Sequence, residues 1–220
     1  MTAPDLEELL GNAASRVRSV RAELREWADP DRTLAAYNAR HPGAGREVSG
    51  EDAIPSDPYT TESRAWIVMP DRIREESDNG LVVQRGDHWW SRHPFFGTDS
   101  NDGDPGQTIT IAETLQPWID PAPVLPLLEL SLVDTAQVAG HPALRLRATA
   151  KDGIGAGAQL GWLGLCADEW ELLVHARRGV VLGTTARYQG APFRIGEAVV
   201  IEFDEPLDDA LFTFAEQEEA

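Results

Sequence analysis

The chain has 220 residues, of which 42% are hydrophobic and 25% charged, enough for one substantial core without a disulfide or a metal to hold it. Nineteen basic residues against 37 acidic ones leave a formal charge of -18. A field of that sign repels phosphate backbones and anionic head groups, which argues against nucleic acid and against peripheral membrane binding.

Thr2-Ala3-Pro4-Asp5 reads as a helix start: Thr2 caps, Pro4 is tolerated in the first turn, and Asp5 holds the capping-box position. Leu6, Leu9, Leu10, Ala13 and Val17 follow at helical spacing, so a helix is predicted over 4–16 within an N-terminal segment 1–16. The same segment carries acidic residues where a secretory signal has basic ones, which predicts a cytoplasmic location unless an export signal has been trimmed. No later segment reaches the ~20 apolar residues of a membrane helix, so no membrane span is expected. Beyond Val17, Val20, Ala22 and Leu24 alternate with Arg21, Glu23 and Arg25 as a half-buried strand would, while Val17, Val20, Leu24 and Trp27 also fit a helix. Periodicity alone does not decide between them. Residues 29–58, rich in Pro, Gly, Asp and Ala, form an irregular excursion with a short helix near 33–40.

Trp66 to Met69 then reads as a strand, Pro70 as a corner, and Asp71 to Glu75 as a returning strand. Asp78-Asn79-Gly80 supplies a tight hairpin, because Asn and Gly tolerate positive φ. Leu81 to Gln84 is a third strand, Arg85-Gly86-Asp87 a second turn, and His88 to Arg92 a fourth strand. Residues 97–106 are a loop by composition. Asp120 caps and Pro121 opens a short helix through Leu128, with Val124, Leu127 and Leu128 inward. The C-terminal half is a run of hairpins over 129–133, 143–149, 169–175, 180–188 and 193–203, joined at turns that include Arg178-Gly179 and Gln189-Gly190. Leu144, Leu146 and Ala148 alternate with Arg145, Arg147 and Thr149, the sign of one wet and one buried face. Cys166 is the only cysteine; between Leu165 and Ala167 it reads as a buried structural thiol.

The meander resembles the LolA-like lipoprotein carriers of bacteria, with LolB and the regulator RseB. The residues that carry the likeness are Trp66, Pro70, Arg74, Gly86, Trp89 with Trp90, and Pro94, followed at the far end by Asp208 to Phe214 as a closing strand with paired phenylalanines. The likeness covers residues 60–214, the main sheet of a single domain over 1–220. It implies an α+β fold in which a strongly curved antiparallel sheet forms an incomplete β-barrel around a few helices. It favours the strand reading after Val17, and it implies the habit of holding an acyl chain or similar apolar ligand. Met69 stands where such carriers place an arginine that fastens a helical lid, so that lid mechanism is not implied here.

No constellation in the sequence specifies a reaction or a cofactor. Gly153-Ile154-Gly155-Ala156-Gly157-Ala158 fits a dinucleotide fingerprint formally, but the strand before it alternates Leu with Arg and so is not a buried parallel strand. Asp99, Asn101, Asp102 and Asp104 suggest calcium until Gly103 and Thr110 are found at positions that need ligands; an acidic surface turn is the better reading. His88 and His93 point to opposite faces of a strand, so they share no metal. Should the fold carry an enzyme, the candidates for acid or base are His88 beside Asp87, then His93 and His175. Trp66, Trp89, Trp90, Trp118 and Trp162 are the candidates for lining an apolar site; of the adjacent Trp89 and Trp90 only one can face inward. The expected function is therefore binding or carriage of an apolar small molecule or lipid. The alternatives are an RseB-like module for a protein partner, or a cavity enzyme.

Overall fold

The structure is a computed structural model that describes residues 2–41, 57–78, 80–94, 97–101, 115–151, 163 and 166–214. Helix α1 (Ala3–Gly11) begins where the capping residues place it, with the Thr2 N–H donating to the Asp5 carboxylate at 2.6 Å. It is shorter than the predicted 4–16. The Asn12 side chain donates to the Glu8 carbonyl, Ser15 Oγ donates to the Asn12 carbonyl, and the chain tightens into a 3₁₀ turn at Ala14–Arg16. Strand β1 (Ser19–Ala28) settles the ambiguity after Val17: Val20 lies between Ile67 and Phe203, and Ala22 between Ala65 and Ile201. Neighbours on both sides override a pattern that fits a helix equally well. Helix α2 (Pro30–Arg40) follows, capped by the Asp29 carboxylate accepting from the Arg32 N–H at 3.0 Å.

The meander forms in the order read, as β2 (Tyr59–Val68), β3 (Arg72–Ser77), β4 (Gly80–Arg85) and β5 (His88–His93), but its first strand begins at Tyr59, well before the expected Trp66, and ends at Val68. Residues 97–100, expected as loop, are instead a short edge strand, β6 (Gly97–Ser100), paired with β5. The cause is Asn101, whose buried side chain accepts from the Trp89 N–H at 3.1 Å and donates to the Asp87 carbonyl at 2.5 Å. The helix expected over 121–128 is a 3₁₀ segment (Ala122–Leu127), preceded by an unforeseen turn of helix, α3 (Gln116–Ile119). Pro126 cannot donate to a helical ladder, and Leu128 already belongs to the next strand. Val124 and Leu128 are buried, and Leu127 is half-buried. The hairpins complete the chain: β7 (Leu128–Val138), β8 (His141–Ala150), β9 (Glu169–His175), β10 (Val181–Tyr188) and β11 (Ala191–Phe203).

These eleven strands form one antiparallel sheet in the order β6-β5-β4-β3-β2-β1-β11-β10-β9-β8-β7. Paired positions share a face, so the register defines an inner row Gln84-Ile73-Ile67-Val20-Phe203 and an outer row Trp90-Val83-Arg74-Trp66-Arg21-Glu202. Leu6, Leu9 and Leu10 of α1, Trp118 and Ile119 of α3, and Val124 pack into one core with the inner face. The sheet is not closed, and this α+β arrangement is an incomplete barrel around a few helices. Among the described residues no helix is long and apolar enough to cross a membrane.

Residues 208–214 are not the closing strand that the family likeness, with its paired phenylalanines, implied. They form a 3₁₀ turn (Asp209–Phe212) lying on the outer face of β3 and β4. The apolar targets explain why: Val83 and Trp90 stand on the face of the sheet and not along its edge, so the segment can reach them only by lying across the strands. Asp209 pairs with Arg72, the Arg74 guanidinium donates to the Leu211 carbonyl at 3.0 Å, and Phe212 is buried with the Arg72 guanidinium 5.5 Å from its ring centre.

Candidate functional site

The inner wall of the barrel is unusual for the size of its side chains. Ala22, Ala65 and Ala198 on three neighbouring strands, with Gly196 and Thr184 beside them, leave the backbone of β1, β2, β10 and β11 thinly covered. Trp118 uses that thinness: a Cβ on Gly196 would stand 2.9 Å from its ring, so the indole lies directly on the sheet. The register also decides the tryptophan pair. Trp89 is opposite Gln84, in the inner row, and is buried; Trp90 is opposite Val83, in the outer row, and is half-buried.

The outer face of β1 to β5 carries a different surface, a cavity of 790 Å³. Its floor is a cross-strand row Glu23-Arg64-Glu76-Leu81-Arg92, with Arg25 and Glu62 in the next row. Glu76 accepts from Arg64 at 3.1 Å and from Arg74 at 2.6 Å, and Arg25 reaches Glu62 at 3.3 Å and Glu197 at 3.5 Å. Leu24, Leu81, Pro94 and Val199 supply apolar contacts between these charges. Among the described residues no tryptophan lines this cavity.

The remaining candidates fall in separate places. Trp66 is on the outer face with the Arg64 guanidinium 5.9 Å from its ring centre. Trp90 stacks on Phe214 at 6.2 Å and on His88 at 6.1 Å. Asp87 and His88 are both exposed, and His93 is half-buried at the far end of the same strand. Neither Asp87 nor His88 borders the charged cavity. Trp162 and the segment 153–158 lie outside the described residues, as do 102–110 of the acidic turn. Cys166 is buried, and burial pushes its thiol up despite the nearby Arg40. Among the described residues no three His, Cys, Asp or Glu side chains come together as a metal would need.

Sequence reading named His175 but missed its partner, His141. Their ring centres are 5.3 Å apart, and Phe203 stands edge-on to both, at 5.5 Å from His141 and 5.4 Å from His175. His141 Nε2 is 2.9 Å from the Ile201 carbonyl, so that nitrogen carries a proton to donate. His175 Nδ1 faces the N–H groups of Arg177 at 3.2 Å and Arg178 at 3.4 Å, so that nitrogen is an unprotonated acceptor. The Arg178 guanidinium is 4.7 Å from the Phe203 ring centre and pairs with Asp204 at 2.8 Å. The two histidines are far apart in sequence, and only the register Ala143↔His175 brings them together.

No family model matches the chain, and no curated protein matches it. Solved structures do. MucB is similar over 97% of this chain with 17% identity and a TM-score of 0.54; the match spans 63% of that MucB chain. Mycobacterium tuberculosis lipoprotein LppX is similar over 94% of this chain and 99% of its own, with 9% identity and a TM-score of 0.52. A conserved protein from Thermus thermophilus is similar over 99% of this chain and 96% of its own, with 10% identity and a TM-score of 0.50. Identities this low speak to backbone alone: this chain shares the fold of MucB and of LppX.

Proposed function

We propose that the chain is a binding protein whose incomplete barrel holds an apolar, acyl-chain-like molecule between the inner face of the sheet and the helices. The observation that carries this reading is the inner wall of Ala22, Ala65, Ala198 and Gly196, faced by Trp118. Small side chains on a sheet let an apolar body lie against the backbone, as the Trp118 ring already does, and a methylene chain needs the same shallow, dry surface. Likeness of fold to a lipoprotein, LppX, supports it. A fluorescent fatty acid such as 11-(dansylamino)undecanoic acid is expected to bind with micromolar affinity or better, about 8 kcal/mol. Trp118→Ala and Trp89→Ala are expected to weaken that binding in variants whose far-ultraviolet circular dichroism is unchanged. Absence of any probe binding to the folded wild-type protein sinks the reading.

A second reading, a module for a polypeptide partner, is favoured by the charged outer cavity and by the likeness, at 16% identity and a TM-score of 0.50, to MucB solved in complex with MucA(peri). Native mass spectrometry of the freshly purified protein separates the two. An adduct of lipid mass supports the carrier, and a polypeptide adduct lost in Arg64→Glu/Arg92→Glu supports the partner module.

A further inference from the structure

We propose that His175 is a proton-operated latch, holding helix α1 against the end of the sheet while its ring is neutral and releasing it on acidification. The turn from β9 to β10 is folded around His175 itself. Its ring accepts from two successive backbone N–H groups, Arg177 and Arg178, its carbonyl accepts from the Gly179 N–H at 3.0 Å, and its own N–H donates to the Val180 carbonyl at 2.8 Å. That turn is wedged under α1. A Cβ built on Gly179 would lie 2.1 Å from the Leu9 carbonyl oxygen, so backbone meets backbone there without room for a methyl group. Two arginines cross the same joint in opposite directions: Arg178 donates to the Arg16 carbonyl at 2.7 Å, and Arg16 donates to the Arg177 carbonyl at 3.2 Å.

A proton on Nδ1 turns an acceptor into a donor facing two donors, so both ring hydrogen bonds of the turn are lost at once. The surroundings are poorly suited to the charge it brings. Among the described residues, those facing the joint are His141 from β8, Arg177 and Arg178 from the turn, Arg16 and Arg18 from the segment after α1, and one carboxylate, Asp204, from the end of β11. Asp204 is already engaged by Arg178 and by the Arg18 N–H at 2.8 Å. Burial first, then His141 and Arg178, hold the His175 imidazole below its ordinary value of 6.5. A depressed folded-state value means that the neutral ring contributes stability fully above about pH 6.5, and that this contribution is lost as pH falls from there through the lower folded-state value.

The test is a pH titration of the isotope-labelled full chain by NMR, following the His175 ring carbon and the backbone amides of Leu6 to Gly11 together. The α1 amides are expected to shift or broaden with the same midpoint as the His175 ring, below about pH 6.5, while amides of β3 and β4 stay fixed. His175→Asn keeps a side-chain acceptor near the Nδ1 position but cannot titrate, so the α1 transition is expected to vanish. His141→Gln keeps a donor for the Ile201 carbonyl and removes the imidazole that helps to hold His175 down, so the transition should persist with a raised midpoint. Ring titration without any α1 response overturns the latch, and so does an unchanged α1 transition in His175→Asn. Should that variant fail to fold, the wild-type comparison of ring and helix midpoints decides alone.

Discussion

Gly179 has little freedom to change. Its φ of +78° is one that side chains rarely adopt, and a methyl group there would drive into the Leu9 carbonyl. Left-handed strain and overpacking together should cost Gly179→Ala about 3 kcal/mol. A urea transition at lower midpoint with unchanged slope is the expected result, and a stability equal to wild type would mean that α1 does not rest on the turn. Arg178-Gly179 was legible as a turn from composition, but its role was not, because the carbonyl it meets belongs to Leu9, near the other end of the chain. The same limit applies to the tryptophans. Alternation shows that Trp89 and Trp90 face opposite ways, but only the pairing of Val83 with Trp90 and of Gln84 with Trp89 says which way each one looks.

At the scale of elements, the segment 208–214 invites a measurement of its own because it closes a small second core on the side of the sheet away from the main one. Val83 and Phe212 are buried but stand apart from the main cluster, and Phe214 stacks on Trp90 at the margin. Phe212→Ala should cost about 3 kcal/mol and shift tryptophan emission to the red as Trp90 loses its cover. A change in stability without a change in emission would place Phe214 on Trp90 independently of Phe212. The strands were readable because strict alternation and Gly-bearing turns are local signals, and β2 to β5 and β7 to β11 follow them. Misreadings cluster where a distant partner outweighs local composition. Asn101 makes a strand of 97–100, and the apolar outer row makes a strap of 208–214.

For the molecule as a whole, the strand order has a meaning for how the chain folds in time. Every seam in the sheet but one joins strands adjacent in sequence, and the exception is β1 with β11. Two local meanders, β1 to β6 and β7 to β11, can each zip from its own turns, yet neither can dock until Arg21 finds Glu202, 181 positions further along the chain. Loop closure over that span is an entropic cost that only the finished seam offsets, so the seam should be absent or late in the rate-limiting step. Ala198→Gly on β11 is therefore expected to speed unfolding with little effect on refolding, a φ-value near ~0, whereas Ile73→Val inside the first meander should slow refolding. The opposite pattern in stopped-flow chevrons would mean that the termini meet first. On the expected pathway, a nascent chain leaving the ribosome carries a folded first meander with β1 as a raw edge, waiting for the last strand to be made.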